Sequence, residues 1–261
     1  MIDQVINEFN GAHFALICAG FLIGGLVKGI SSFGLPTVSI PIILFVLPLP
    51  SAVSILALPL ILSNFAQMIS AGGIKASTKR HWPLLLPLLI GLPFGVYFLA
   101  IVNTQILTIV LGAVLILITS LELMGISLTF LKQHERVFGP VIGATSGVIG
   151  GMTSLFGIIP IFFLVSLDLS KEKFVSVVSV LLFSGSVVLA VSLERSALLG
   201  PLEAFYGLAG MVPIMFGIWV GTLIRKRVDQ LLFRKIILSL ILIVGISMIY
   251  RNFEAISFFS H

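Results

Sequence analysis

The sequence predicts an all-α integral membrane protein built as two inverted five-segment repeats, with eight long transmembrane helices and two short or broken ones. Three observations lead there. The chain is 58% hydrophobic and only 10% charged, with a mean hydropathy of +1.22. Soluble domains carry about 25% charged residues, so this chain has too few charges to cover a water-facing surface. Apolar runs of about 20 residues, the length that crosses a ~30 Å hydrocarbon core, recur from end to end. Finally, a set of glycine, serine and phenylalanine positions repeats at one fixed offset, with loops of opposite charge in the two copies.

The first apolar run covers 12–33. The residues before it include Asp3 and Glu8 and no basic residue. A secretory signal needs a positive n-region, so this helix is expected to be retained. A glycine-rich break leads to a short run, 36–48, and long runs follow at 51–71, 82–101 and 105–124. These complete a first membrane repeat over 1–124. A linker, 125–136, leads to a second repeat over 137–261. It opens with a long run at 137–157, crosses a second break to a short run at 158–167, and continues through 174–193, 204–224 and 235–250.

The charges orient these segments. Twelve of the 15 Lys and Arg residues fall in four places: Lys75, Lys79 and Arg80; Lys132 and Arg136; Lys171 and Lys173; and Arg225, Lys226, Arg227, Arg234 and Lys235. Cytoplasmic loops collect Lys and Arg, so these four face the cytoplasm and the 125–136 linker with them. Asp3 and Glu8, Asn103 and Thr104, Glu194 to Glu203, and Glu254 then face outside. The alternation closes if each short segment forms a hairpin with the long one before it, and both termini lie outside. The net charge of +5 is thereby accounted for by topology, with no need of nucleic acid.

At an offset of 123 residues, Gly20, Gly24, Ser31, Phe33 and Gly34 meet Gly143, Gly147, Ser154, Phe156 and Gly157, and Ser63 meets Ser186. The loop after the third segment is basic in the first half (Lys75 to Arg80) and acidic in the second (Glu194 to Glu203). The loop after the fourth is uncharged in the first half and basic in the second (Arg225 to Arg227). Equivalent loops of opposite sign belong on opposite faces, which is an inverted repeat; a parallel duplication with irregular loop charges is the alternative. Inverted repeats are the architecture of many secondary transporters.

The breaks at Gly29 to Pro36 and Gly151 to Pro160 occupy equivalent places, and paired Gly/Pro interruptions point to a transporter's binding site. Short helices starting near Leu35 and Ile158 would aim free N–H groups and positive dipole ends there, which suits an anion. Ser31, Ser32 and Gly34 in the first break, and Thr153, Ser154 and Gly157 in the second, are the candidate contacts. The hydroxyls among them serve either a ligand or the local backbone. Gly20, Gly24, Gly143 and Gly147 read as small faces for helix packing.

Lys28 is the only basic residue inside an apolar segment, and its repeat equivalent is Gly151. An intramembrane charge is costly and normally finds protein, water or a partner. With no acidic residue nearby in sequence, Lys28 can be the counter-ion of an anionic substrate, or its long chain can snorkel to a headgroup. Ser63, Gln67 and Ser70 share one helical face with Asn64 beside them. The amides of Asn64 and Gln67 can bind oxyanion oxygens or join helices. Ser186 echoes Ser63 in the second half.

The run from Gly20 to Gly34 (GFLIGGLVKGISSFG), followed by Pro36, Pro41 and an apolar stretch, resembles the opening of the sulfite exporter TauE/SafE family. Gly143 to Pro160 resembles that family's second copy, and the likeness extends over nearly the whole chain. Where the family has a denser glycine cluster, Ser31, Ser32 and Phe33, and then Ser154, Leu155 and Phe156, stand here. The resemblance implies a multi-pass permease of the cell inner membrane for sulfite, a sulfonate or another small sulfur-containing anion.

The residues themselves favour a secondary transporter of small anions, driven by a coupling ion (H⁺ or Na⁺) or by the substrate's own gradient, because no Gly-x4-Gly-Lys-Ser/Thr loop is present to bind ATP. The alternatives are an anion channel, or an uptake permease with a different small anion. No Ser/His/Asp, paired-carboxylate or metal constellation stands out inside the membrane, so neither enzymatic activity nor a metal or other cofactor is expected. The expected partners are the small anion and the lipid bilayer; nothing indicates a homo-oligomer. The single cysteine, Cys18, excludes an intrachain disulfide.

Overall fold

A computed structural model of the chain describes residues 11–124, 134–167, 169–225, and 238–239, 242–243, 245–246 and 248–250. Among them all the regular secondary structure is α-helix. The first part contains α1 (Gly11–Ser31), α2 (Leu35–Ile43), α3 (Leu49–Ala71), α4 (Ile74–Ile101) and α5 (Thr104–Leu123). The second contains α6 (Glu135–Thr153), α7 (Ile158–Ser166), α8 (Lys171–Arg195) and α9 (Pro201–Ile224). Most of the expected segment at 235–250, and Asp3, Glu8, Lys132, Asp168, Lys226, Arg227, Arg234, Lys235 and Glu254, lie outside the described residues, as does most of the 125–136 linker.

The helix ends follow from local chemistry. Leu49 enters α3 with Pro at the first helical positions, where the missing N–H costs nothing. Gly72 and Gly73, both at positive φ (65° and 66°), end α3 and start α4. Pro201 opens α9, and Glu203 Oε2 accepts the Gly200 N–H at 3.0 Å. α4 begins earlier than its apolar run, because the polar stretch from Lys75 to Arg80 contains nothing that stops a helix. Its backbone leaves helical geometry at His81 (φ −104°, ψ 19°), just before Pro83.

Among the described residues, six helices are long and apolar enough to cross a membrane: Gly11–Ser31, Leu49–Ala71, Ser77–Ile101, Thr104–Leu121, Glu172–Arg195 and Pro201–Ile224. The chain is a multi-pass membrane protein. The sequence-based expectation of eight long spans differs at α6, which opens on Glu135 and Arg136 and devotes five of its 19 residues to glycine. Its hydropathy drops accordingly, and its glycines serve packing. Large apolar side chains such as Ile90, Phe94, Phe205, Val212 and Trp219 face outward, as a lipid-contacting surface requires. Leu88, Leu92, Val96, Leu181, Leu189 and Ile214 fill the interior.

Without a hydrophobic force between helices in lipid, small residues let backbones approach. α1 runs parallel to α9 and touches it at glycines. A Cβ on Gly25 would lie 2.4 Å from Ile214 O, and one on Gly29 would lie 2.4 Å from Ile218 O. α6 runs parallel to α4 in the same way: Gly143, Gly147 and Gly151 come against the carbonyls of Leu84, Leu88 and Leu92, at 2.3, 2.3 and 2.2 Å from an added Cβ. α3 and α8 pack antiparallel. Asn64 Nδ2 donates to Leu182 O at 3.1 Å, and Ser176 Oγ donates to Gly72 O at 2.6 Å. Ser176's hydroxyl hydrogen being spent there, Ser77 Oγ donates to Ser176 Oγ at 2.7 Å and ties α4 to the same end of α8.

Candidate functional site

The two helix interruptions come at serines rather than at the glycines that precede them. Gly29, Gly150 and Gly151 stay helical and serve close contact. An added Cβ on Gly150 would fall 2.1 Å from Phe156 Cβ. The chain turns instead at Ser32 (φ 69°) and Gly34 (φ 90°) in the first break, and at Ser154 (φ 61°) in the second. Left-handed backbone at serine is costly without local support. Ser31 provides it in the first break, its Oγ lying 2.8 Å from Val27 O and 2.5 Å from Phe33 O. In the second, Thr153 Oγ1 donates to Ile149 O at 2.7 Å and accepts the Leu155 N–H at 3.3 Å.

Lys28 lies one turn before the first break and is buried, at 6% exposure. Its Nζ donates to Ser63 Oγ at 3.0 Å and to Asn64 Oδ1, both on α3. Asn64, 1% exposed, continues the chain of bonds to Leu182 O on α8. One buried amide therefore joins α1, α3 and α8. An ammonium has three N–H donors, and the two bonds to α3 leave one for the adjoining cavity.

That cavity is open to one side, holds about 370 Å³ of space when the solvent at its mouth is included, and is lined by both interruptions. Lys28, Gly34, Leu35 and Thr37 come from the α1–α2 side, Asn64 from α3, and Ser154, Gly157 and Ile158 from the α6–α7 side. The first residues of α2 and α7 thus meet across one space, and a helix start carries partial positive charge; Pro36 and Pro160 have no N–H there, and the Ile158 N–H is taken by Leu155 O at 3.3 Å. Ser154 Oγ is buried in the wall with no hydrogen-bond partner among the described residues. A buried hydroxyl without a partner costs free energy, and a ligand oxygen in the cavity would relieve it. The remaining walls are apolar: Phe33, Leu60, Leu155, Phe156, Ile161 and Leu182. The arrangement combines one ammonium, the hydroxyls of Ser154 and Thr37 and two helix starts, with no carboxylate among the described residues of the wall, and so can hold a small anion.

Of the residues expected from the sequence, Lys28, Gly34, Asn64, Ser154 and Gly157 are brought together on the cavity wall. Ser31 and Thr153 are spent on their own breaks. Ser32 does not line the cavity; its Oγ accepts from Arg225 Nη1 at 3.2 Å. Gln67 is half-buried one turn from Ser63 and does not line the cavity. Ser186 is buried and donates to Phe183 O at 2.8 Å, within its own helix. Sequence reasoning did not single out Thr37, Phe33 or Phe156 as lining residues. Thr37 carried a signal, being the third residue of a short helix after a break; the phenylalanines resemble ordinary core. Among the described residues no group of three or more His, Cys, Asp and Glu is placed to hold a metal.

A family model described as Sulfite exporter TauE/SafE matches residues 16–248. No curated protein and no solved structure matches the chain.

Proposed function

Because the chain belongs to the sulfite exporter TauE/SafE family, we propose that it is a secondary transporter that exports a small sulfur-containing anion, such as sulfite or a sulfonate, across the cell inner membrane. The observation that carries this reading is Lys28: a buried ammonium on the wall of a cavity, held by two uncharged acceptors. The converging starts of α2 and α7 add positive potential at the same place. Ser154 adds an unspent donor. Gly34 and Gly157 bring backbone close to the bound ion, and Ser31, Ser32, Thr153, Gln67 and Ser186 shape the surrounding breaks and helices.

Alternating access follows from an inverted-repeat reading, in which 1–124 and 137–261 are two halves of opposite orientation. Helix packing supports it. The first helix of each half lies parallel to the fourth of the other (α1 on α9, α6 on α4), and the two third helices, α3 and α8, lie antiparallel to each other. Each half would then offer one arm to either gate, with both termini outside and H⁺ or Na⁺ as coupling ion.

The test is counterflow of labelled sulfite in proteoliposomes containing the purified protein. A carrier gives saturable uptake that unlabelled sulfite on the far side accelerates. Large unitary anion currents with no saturation would overturn the carrier mechanism in favour of a channel.

A further inference from the structure

A buried ammonium is ordinarily compensated by a carboxylate, because an uncompensated charge away from water is expensive. Lys28 is not compensated in that way. Its acceptors are the hydroxyl of Ser63 and the amide oxygen of Asn64, and among the described residues no Asp or Glu lines the cavity. The orientation of the amide is fixed from the far side. Asn64 Nδ2 donates to Leu182 O at 3.1 Å, so only Oδ1 can face the lysine. Asn64 thus has the geometry of an aspartate partner without its charge.

We propose that Ser63 and Asn64 form a neutral cradle that positions Lys28 without cancelling its charge, and that the site therefore selects small oxyanions with no ammonium group over zwitterions that carry one. The inference rests on the transport-site reading above and goes further, to the substrate's charge pattern. An oxyanion takes the remaining ammonium N–H and the hydroxyl of Ser154, and its negative charge faces the lysine's positive one. A zwitterion places a second ammonium in the same small apolar space. There it meets repulsion from Lys28 and finds no carboxylate among the described residues of the wall, and like charges so juxtaposed are strongly disfavoured. Asn64 is on this account a positioning residue whose neutrality sets specificity.

Two measurements on the purified full-length protein test this. Calorimetric titration with sulfite is run on Asn64→Ala and Asn64→Asp. Both lose the donor to Leu182 O, and only the aspartate adds a charge beside Lys28. The cradle predicts that Asn64→Asp binds sulfite at least about ten-fold more weakly than Asn64→Ala. Equal affinities overturn it, since a residue that merely joins helices is lost equally in both. Ser63→Asp against Ser63→Asn gives the same readout with the Asn64–Leu182 bond intact, should the Asn64 variants fail to fold. Ethanesulfonate and taurine share a sulfonate and a two-carbon chain and differ by one amino group. Ethanesulfonate should displace sulfite at least about ten-fold better, and taurine displacing it equally well overturns the selectivity. Wild-type protein that binds no sulfite overturns the transport site and the cradle together. Wild-type binding with equal Ala and Asp affinities overturns the cradle alone.

Discussion

Replacing Lys28 by methionine separates a substrate contact from a structural one. The two side chains are similar in length, and methionine adapts readily to an irregular apolar site. Two effects on stability oppose each other. The variant removes a buried charge, which relieves its desolvation. It also strips the donor from Asn64 Oδ1 and Ser63 Oγ, and an orphaned buried acceptor costs about 1–3 kcal/mol. Ser63 has a partial remedy, since its hydroxyl lies 3.5 Å from Leu60 O. The melting temperature should therefore move by no more than about 4 °C. Binding has no such compensation. Loss of one charge-assisted hydrogen bond to the anion is worth roughly 1.5–3 kcal/mol, or about ten- to a hundred-fold in affinity. Lys28→Arg should keep part of this, because the charge survives while the fork of the guanidinium changes the geometry. The assay is sulfite titration of each purified variant beside its melting curve. Unchanged sulfite affinity in a folded Lys28→Met protein would refute the reasoning and leave the helix starts and Ser154 to hold the anion.

Ser154→Ala removes a buried hydroxyl that has no partner among the described residues. Stability should hold or rise slightly while sulfite affinity falls by about two- to ten-fold, one neutral hydrogen bond; a drop in melting temperature with intact affinity would contradict that role. Gly147→Ala forces a Cβ to within 2.3 Å of Leu88 O and must push α4 from α6. Its thermal stability should fall by about 1–3 kcal/mol, whereas Gly11→Ala, with nothing within 4 Å of the new atom, should melt like the parent. Reporter fusions at Asn103 and Ser196 should read external and one at Arg227 cytoplasmic; Ser196 and Arg227 on the same side would remove the inverted arrangement.

The spans were legible because membrane insertion is a local property of the chain. An apolar run such as 105–124 needs no partner to be helical in lipid, and the helix found there is Thr104–Leu123. The existence of the two breaks was legible for a similar reason: glycine and proline near 29–36 and 151–160 mark places where the backbone can leave the helix. Their exact positions were not. Gly29 and Gly151 looked like break residues, yet both stay helical because another backbone lies against them, at Ile218 O and Leu92 O. The turns fall on Ser32 and Ser154, where Ser31 and Thr153 bridge nearby backbone groups.

Lys28 stood out in the sequence as a charge in an apolar helix, and its neighbourhood was empty of acids. Which groups it would meet was beyond the sequence, because Ser63 and Asn64 come from another helix and their periodicity on α3 fits interhelical bonding and ligand binding equally well. Ser186, which aligns with Ser63 across the repeat, turns out to bond within its own helix. Composition and periodicity alone determined an all-helical membrane protein with paired interruptions and one unexplained internal cation, since each depends on residues within a few turns of one another. Tertiary structure alone decided that both interruptions open on one cavity, that Asn64 presents its oxygen to Lys28, and that Ser154 is left without a partner among the described residues. Those facts depend on contacts between helices far apart in the chain, and a hydroxyl or amide of given sequence can be satisfied locally or across the bundle at similar free energy, so only the packed arrangement determines which.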